Sequence, residues 1–140
     1  MAEYIATALQ TVAANQNVLF TETPVCGNNS IVHREGSGII TLRGITSQCR
    51  ARFKVTFGGN ITIPSGGTVG PISITIAING EPVSSTSMIV TPAAVGQFFN
   101  VARSIYINVP SGCCSQVSIR NTSTQSINVQ NSNLIVERVA

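Results

Sequence analysis

Five glutamates, one histidine, four cysteines and no aspartate are the groups with which this chain of 140 residues could break a bond or grip a metal. The glutamates Glu3, Glu22, Glu35, Glu81 and Glu137 lie at least 13 positions apart. The paired carboxylates of general acid–base or glycosidic chemistry would therefore have to be assembled by folding alone. Calcium loops lean on aspartate, and there is none to build one. His33, in "SIVHREG", falls on an apolar-polar alternation; serines are plentiful, but no Gly-x-Ser-x-Gly elbow offers it a nucleophile. It reads as a surface or interface residue. Cys26, Cys49, Cys113 and Cys114 lack the two close pairs that zinc favours. Adjacent side chains on a strand point to opposite faces, so Cys113 in phase with Val117 and Ile119 is expected inside and Cys114 outside. Free thiols are the default, with a Cys26–Cys49 bridge left open. The loop "PSGGTVGP" lacks the Gly-Lys-Ser/Thr ending of a phosphate cradle. No catalytic group, cofactor or metal is expected.

The charged residues say more about surfaces. Only 9% of the chain is charged, with a net charge of +3, against an ordinary share of about 25%. In "RARFKVTF" the alternation puts Ala51, Phe53, Val55 and Phe57 on one face and Arg50, Arg52 and Lys54 on the other. With Arg43 these form a basic stripe, either a solvated strand face or a contact for an anionic partner. No dense basic run is present, so nucleic acid is not expected. Nor is a membrane: no run of about 18 apolar residues occurs, and the opening "MAEYIATALQ" lacks the features of a secretion signal, which points to synthesis in the cytoplasm. Charged residues this sparse suit a chain that hides part of its exterior in an assembly.

The elements that would position these groups are strands. "GPISITIAINGE" places Ile72, Ile74, Ile76 and Ile78 on one face and ends in Asn79-Gly80, the signature of a two-residue hairpin. Similar runs recur about every 8 to 12 residues between Gly- and Pro-rich turns, as in a sandwich or barrel. They predict strands at 18–22, 31–35, 39–43, 50–57, 61–63, 72–79, 84–90, 98–109, 116–121, 126–130 and 134–139. Residues 1–15 read as an extended arm or strand, and 16–140 as one domain. The last segment, "NLIVERV", is apolar on both faces: Leu134 and Val136 on one, Ile135 and Val139 on the other.

Taken in order, "ATALQTVAANQNVLFTET", "GSGIITLRGI", "VTFGGNITIP", "ISITIAINGEPV" and "SNLIVERVA" resemble the small trimeric jelly-roll domains of the tumour-necrosis-factor and complement type, above all those at the tips of bacterial spore-surface proteins. More narrowly, "IVHREGSGIITLRG" and "NLIVERVA" are similar to short virion structural proteins of phages and prophages of gut bacteria. The resemblance implies an all-β antiparallel jelly-roll sandwich of about ten strands. It further implies three subunits around an axis with the C-terminal strand beside it. No collagen-like stretch precedes the domain, and the acidic calcium ligands of some relatives have no counterpart. The expectation is a non-enzymatic homotrimer on a phage particle, as capsid decoration or fibre-head module. Phe98, Phe99, Tyr106, Leu134, Ile135, Val136 and Val139 would form its subunit contacts, and residues 1–15 would dock by adding a strand to another virion protein. The alternative is an adhesin that binds host-cell glycans through loop residues such as Asn28, Asn60 or Asn79.

Overall fold

The computed structural model describes residues 1–140. Twelve strands follow one another: β1 (Ala2–Ala6), β2 (Gln10–Val12), β3 (Glu22–Val25), β4 (Ile31–His33), β5 (Ile40–Arg43), β6 (Arg50–Thr62), β7 (Ile72–Ile78), β8 (Glu81–Pro82), β9 (Met88–Val90), β10 (Phe99–Pro110), β11 (Cys114–Asn121) and β12 (Ile127–Arg138). A 3₁₀ turn, Ser84–Thr86, precedes β9. The first sheet runs β10-β6-β12-β1-β3, with β2 also on β12; the second runs β4-β5-β11-β7-β8, with β9 also on β7. Every pairing is antiparallel. The result is the all-β sandwich that the alternation predicts.

The core lies between the sheets and follows the inward phase of each strand. Phe53, Val55, Phe57 and Ile61 come from β6, Ile72, Ile74 and Ile76 from β7, Val117 and Ile119 from β11, Leu134 and Val136 from β12. At about 1.5–3 kcal/mol for each fully buried large apolar side chain, this wall of isoleucine, valine and phenylalanine is the main stabilising term. Asn79 and Gly80 both adopt positive φ, 53° and 82°, and turn β7 into the two-residue edge strand β8. Pro82 sits there without cost because an edge position needs no further donor.

Three features differ from the periodicity. Predicted strands 50–57 and 61–63 are one strand, and so are 126–130 and 134–139. Gly58-Gly59 marks a close approach instead of a break: β12 bulges between Gln130 and Asn133, with Asn131 at φ 54°, and a side chain on Gly59 would press on Ser132 and Phe57. Predicted strand 18–22 is a crossing segment, with the Val18 amide bonded to Ile119 of the second sheet and the Thr21 amide to Ile5 of the first. Predicted strand 84–90 is a strand only over Met88–Val90; Ser84–Thr86 form a 3₁₀ turn, because Thr86 is drawn inward, where its hydroxyl donates to the Val83 carbonyl at 2.7 Å and accepts the Ile76 amide at 3.1 Å.

Residues 1–15 are not a detached arm. Ala2 pairs with Val136 and Tyr4 with Leu134, and Ala2, Tyr4, Ala6 and Val12 are buried in the core. Since β1 is hydrogen-bonded to β12 on one side and to β3 on the other, it has no free edge with which to extend a foreign sheet.

Candidate subunit face and ligand cavities

The outward phase of the first sheet forms one broad face. Its rows cross the strands: Tyr106, Lys54 and Glu137; then Ser104, Thr56, Ile135 and Glu3; then Ala102, Gly58, Asn133 and Ile5. Tyr106 is 63% exposed, while Ile5 and Ile135 are half-buried. Many polar groups on this face already bond sideways. Thr56 and Ser104 share a hydrogen bond of 2.7 Å, Asn100 donates to Asn60 at 3.1 Å, Asn133 donates to the Glu3 carboxylate at 2.9 Å, and Arg52 Nε donates to Asn108 at 3.0 Å. A polar group that brings its own partner costs far less to cover than one that must give up water. The centre of the face thus combines the exposed Tyr106 and the half-buried Ile5 and Ile135 with polar groups that already have partners, the Glu3 carboxylate among them.

The seven predicted contact residues do not share one patch. Tyr106, Ile135 and Val139 follow the outward phase, with Val139 beside Arg52. Leu134 and Val136 are fully buried in the chain's own core, opposite Tyr4 and Ala2. A subunit contact cannot use them, and their place in the predicted set is corrected: of the two apolar phases of β12, theirs meets the second sheet. Phe99 opens β10 and Phe98 precedes it, a strand length of about 20 Å or more from Tyr106 at roughly 3.4 Å per residue. Ile5, Thr56 and Ser104 were not legible as members because their neighbours are distant in sequence.

The basic stripe is also divided. Arg52 and Lys54 share the first sheet's outer face, Arg50 stands at the start of β6, and Arg43 ends β5 in the other sheet. A shallow cleft of about 170 Å³ lies at Gln48, Cys49, Arg50, Arg52 and Ala140. All four cysteines are unpaired and exposed. Cys113 is not an inward residue, because the turn after Pro110 continues through it and β11 begins only at Cys114.

Two cavities hold buried polar atoms without partners. One, of about 380 Å³, opens between β1, β4 and the loop before β4, and is lined by Tyr4, Cys26, Asn28 and His33 among others. His33 is no plain surface residue: its ring stands 4.4 Å from that of Tyr4 and 6.4 Å from Phe20. Its Nε2–H donates to the Ser37 carbonyl at 2.8 Å, which leaves Nδ1 as a buried acceptor without a donor. Burial pushes the Tyr4 hydroxyl above its ordinary value, and the nearby Cys26 thiol adds to the rise. An unfolded tyrosine ionises near pH 10, so above that value the unfolded chain loses this proton first and stability falls as pH climbs. Tyr4→Phe is expected to keep more of its melting temperature than the natural chain above pH 10 and to show no such advantage at neutrality, as followed by circular dichroism.

The other cavity, about 250 Å³, lies on the outer face of the second sheet and is lined by Asn15, Asn17, Gly80, Gln116, Ser118 and Arg120, with Ile39 at its side. Arg120 Nη1 donates to the Gly80 carbonyl at 2.7 Å, while its Nε is buried without an acceptor.

No family model and no curated protein matches the chain. Among solved structures, the globular domain of zebrafish complement 1qA protein is 12% identical and superposes with a TM-score of 0.60, covering 96% of this chain and 94% of that one. A second, the sugar-binding C-terminal domain of EclA, is 12% identical over 94% of this chain and 79% of that one, with a TM-score of 0.44. A third, a β-glucosidase from Paenibacillus barengoltzii, reaches a TM-score of 0.39 at 11% identity over 71% of this chain and 9% of that one. The two-sheet order and the superposition together show that the chain shares the jelly-roll sandwich fold of that complement domain.

Proposed function

We propose that this is a non-enzymatic structural protein that works as a homotrimer on a phage particle, either as a capsid decoration or as the head of a fibre. The observation that carries the assembly is the outer face of the first sheet, where Tyr106, Ile5 and Ile135 stand among polar groups already bonded to one another. Two further copies of this chain are its proposed occupant. The low charge content supports that choice, since a monomer would leave an unusually uncharged exterior in water. The likeness of "IVHREGSGIITLRG" and "NLIVERVA" to virion components is what supports the particle. The carboxylate shortage supports a role without catalysis.

Light scattering at micromolar concentration is expected to give three times the 14.7 kDa chain mass. A stable species of one chain mass would remove the trimer. Detection of the protein in purified particles by mass spectrometry tests the virion role separately. A second reading, a glycan-binding adhesin, is favoured by the polar cavity around Arg120.

A further inference from the structure

Arg120 stands out on its strand. The neighbouring outward positions Gln116 and Ser118 are neutral, and no carboxylate lines the cavity that contains it. Arginine cannot shed its proton in a protein, so its charge persists wherever the fold places it. Here the Gly80 carbonyl is its one hydrogen-bond acceptor, taken by Nη1, and Nε is shut off from water with no acceptor at all. A guanidinium in a pocket of amides and hydroxyls, without a counter-ion, still has the N–H groups of Nη2 to offer a carboxylate, whereas the buried Nε is closed to water and ligand alike.

The rest of the lining specifies what else the ligand carries. Asn15, Asn17, Gln116 and Ser118 offer both donors and acceptors, the complement of several hydroxyl groups. At about 30 Å³ per water, a space of 250 Å³ holds roughly eight waters, which corresponds to one sugar ring. A single cation matches the single charge of a sugar acid, where a phosphate dianion would call for more. We propose that the cavity is a binding site for an acidic sugar, a uronic or sialic acid residue, whose carboxylate meets Arg120 and whose hydroxyls meet Asn15, Asn17, Gln116 and Ser118. This deepens the adhesin reading by naming the ligand class, and does not depend on the trimer. The cavity lies on the sandwich face opposite the proposed subunit face, so it stays open in the assembly.

The site sits on rigid parts. Asn17 is bridged to Arg120 through the backbone, and the Gln116 amide is held by the Asn79 side chain at 2.9 Å. Its walls nevertheless come from four separate segments, near residues 15, 39, 80 and 116, which only the fold brings together.

Isothermal titration of the whole protein with glucuronic acid, N-acetylneuraminic acid, glucose and inorganic phosphate tests the assignment. At least one sugar acid is expected to bind in the millimolar range. Glucose and phosphate are expected to bind about tenfold more weakly, the worth of one charge-assisted pair. Arg120→Gln should weaken the acid about tenfold. Because that change also removes the Gly80 contact, Gln116→Glu provides a second variant: it leaves the backbone anchors in place, should keep the melting temperature, and should repel the acid. Failure of both sugar acids to bind, phosphate binding more tightly than either, or an affinity unchanged in both variants overturns the proposal. Glucose bound as well as glucuronic acid would also overturn it while leaving the adhesin reading standing. A glycan array without any binding, neutral or acidic, would remove that reading too.

Discussion

Ile135→Arg is expected to convert the proposed trimer into monomers at micromolar concentration, while the melting of the chain itself changes little. Ile135 lies in mid-sheet, opposite Thr56 on one side and Glu3 on the other, and faces outward. In a lone chain an arginine here extends into water, and the core phase of β12 keeps Leu134 and Val136. In the assembly the same change forces a longer, charged side chain into the space between covered surfaces, and the neighbouring Glu3 offsets only part of its lost hydration, a penalty of about 2 kcal/mol or more for each copy. Three copies around an axis multiply that cost, so dissociation should be complete. Ile89→Arg is the matched control: Ile89 is 65% exposed on the second sheet, and its replacement should leave the mass unchanged. If Ile135→Arg stays trimeric, or if both variants dissociate alike, the first sheet's outer face is not where copies meet.

Ile135 also shows how far a sequence of this kind can be read. Alternation made the sandwich plain from Ile72 to Ile78, and Asn79-Gly80 gave its hairpin, because both signals lie within a few neighbouring residues. The same alternation marked β12 as apolar on both sides without saying which side the core would claim. That choice is made by Ala2 and Tyr4, more than 120 positions away, which pair with Val136 and Leu134. For the same reason residues 1–15 read as an arm: their strand character comes from partners at the other end of the chain. The candidate sites were harder still. Arg120 was invisible as a site, since Asn15, Asn17 and Gly80 reach it only after the two sheets have formed. His33 was named from the sequence, but its position against Tyr4 and Phe20 depends on the crossing between sheets. Local rules gave the strands, and long-range pairing decided what each face does.

Nothing local marks Asn121 as structural either; it stands third in the inward series Val117, Ile119, Asn121, where an apolar residue would be expected. It is fully buried. Its Nδ2 donates to the Val12 carbonyl at 2.9 Å and the Gln125 carbonyl at 3.0 Å, and its Oδ1 accepts the Ser123 amide at 2.9 Å. The side chain thereby ties β2 to the turn that leads into β12. Asn121→Asp keeps the shape and inverts the chemistry, because a carboxylate oxygen now faces two carbonyl oxygens. Burial and these neighbours should raise the new carboxyl's folded-state pKa by about three units, or roughly 4 kcal/mol at neutral pH. A raised folded value means that the folded chain holds the proton longer than the unfolded one, so stability falls as pH rises above about 4 and recovers on acidification. Asn121→Ala should cost about 2–3 kcal/mol with no such dependence, since it only leaves polar partners unpaired. Denaturant midpoints of both variants relative to the natural chain at pH 4 and pH 7 check the argument. Equal losses at pH 7, with no gain for the aspartate at pH 4, would show that the two carbonyls do not depend on the Asn121 donor.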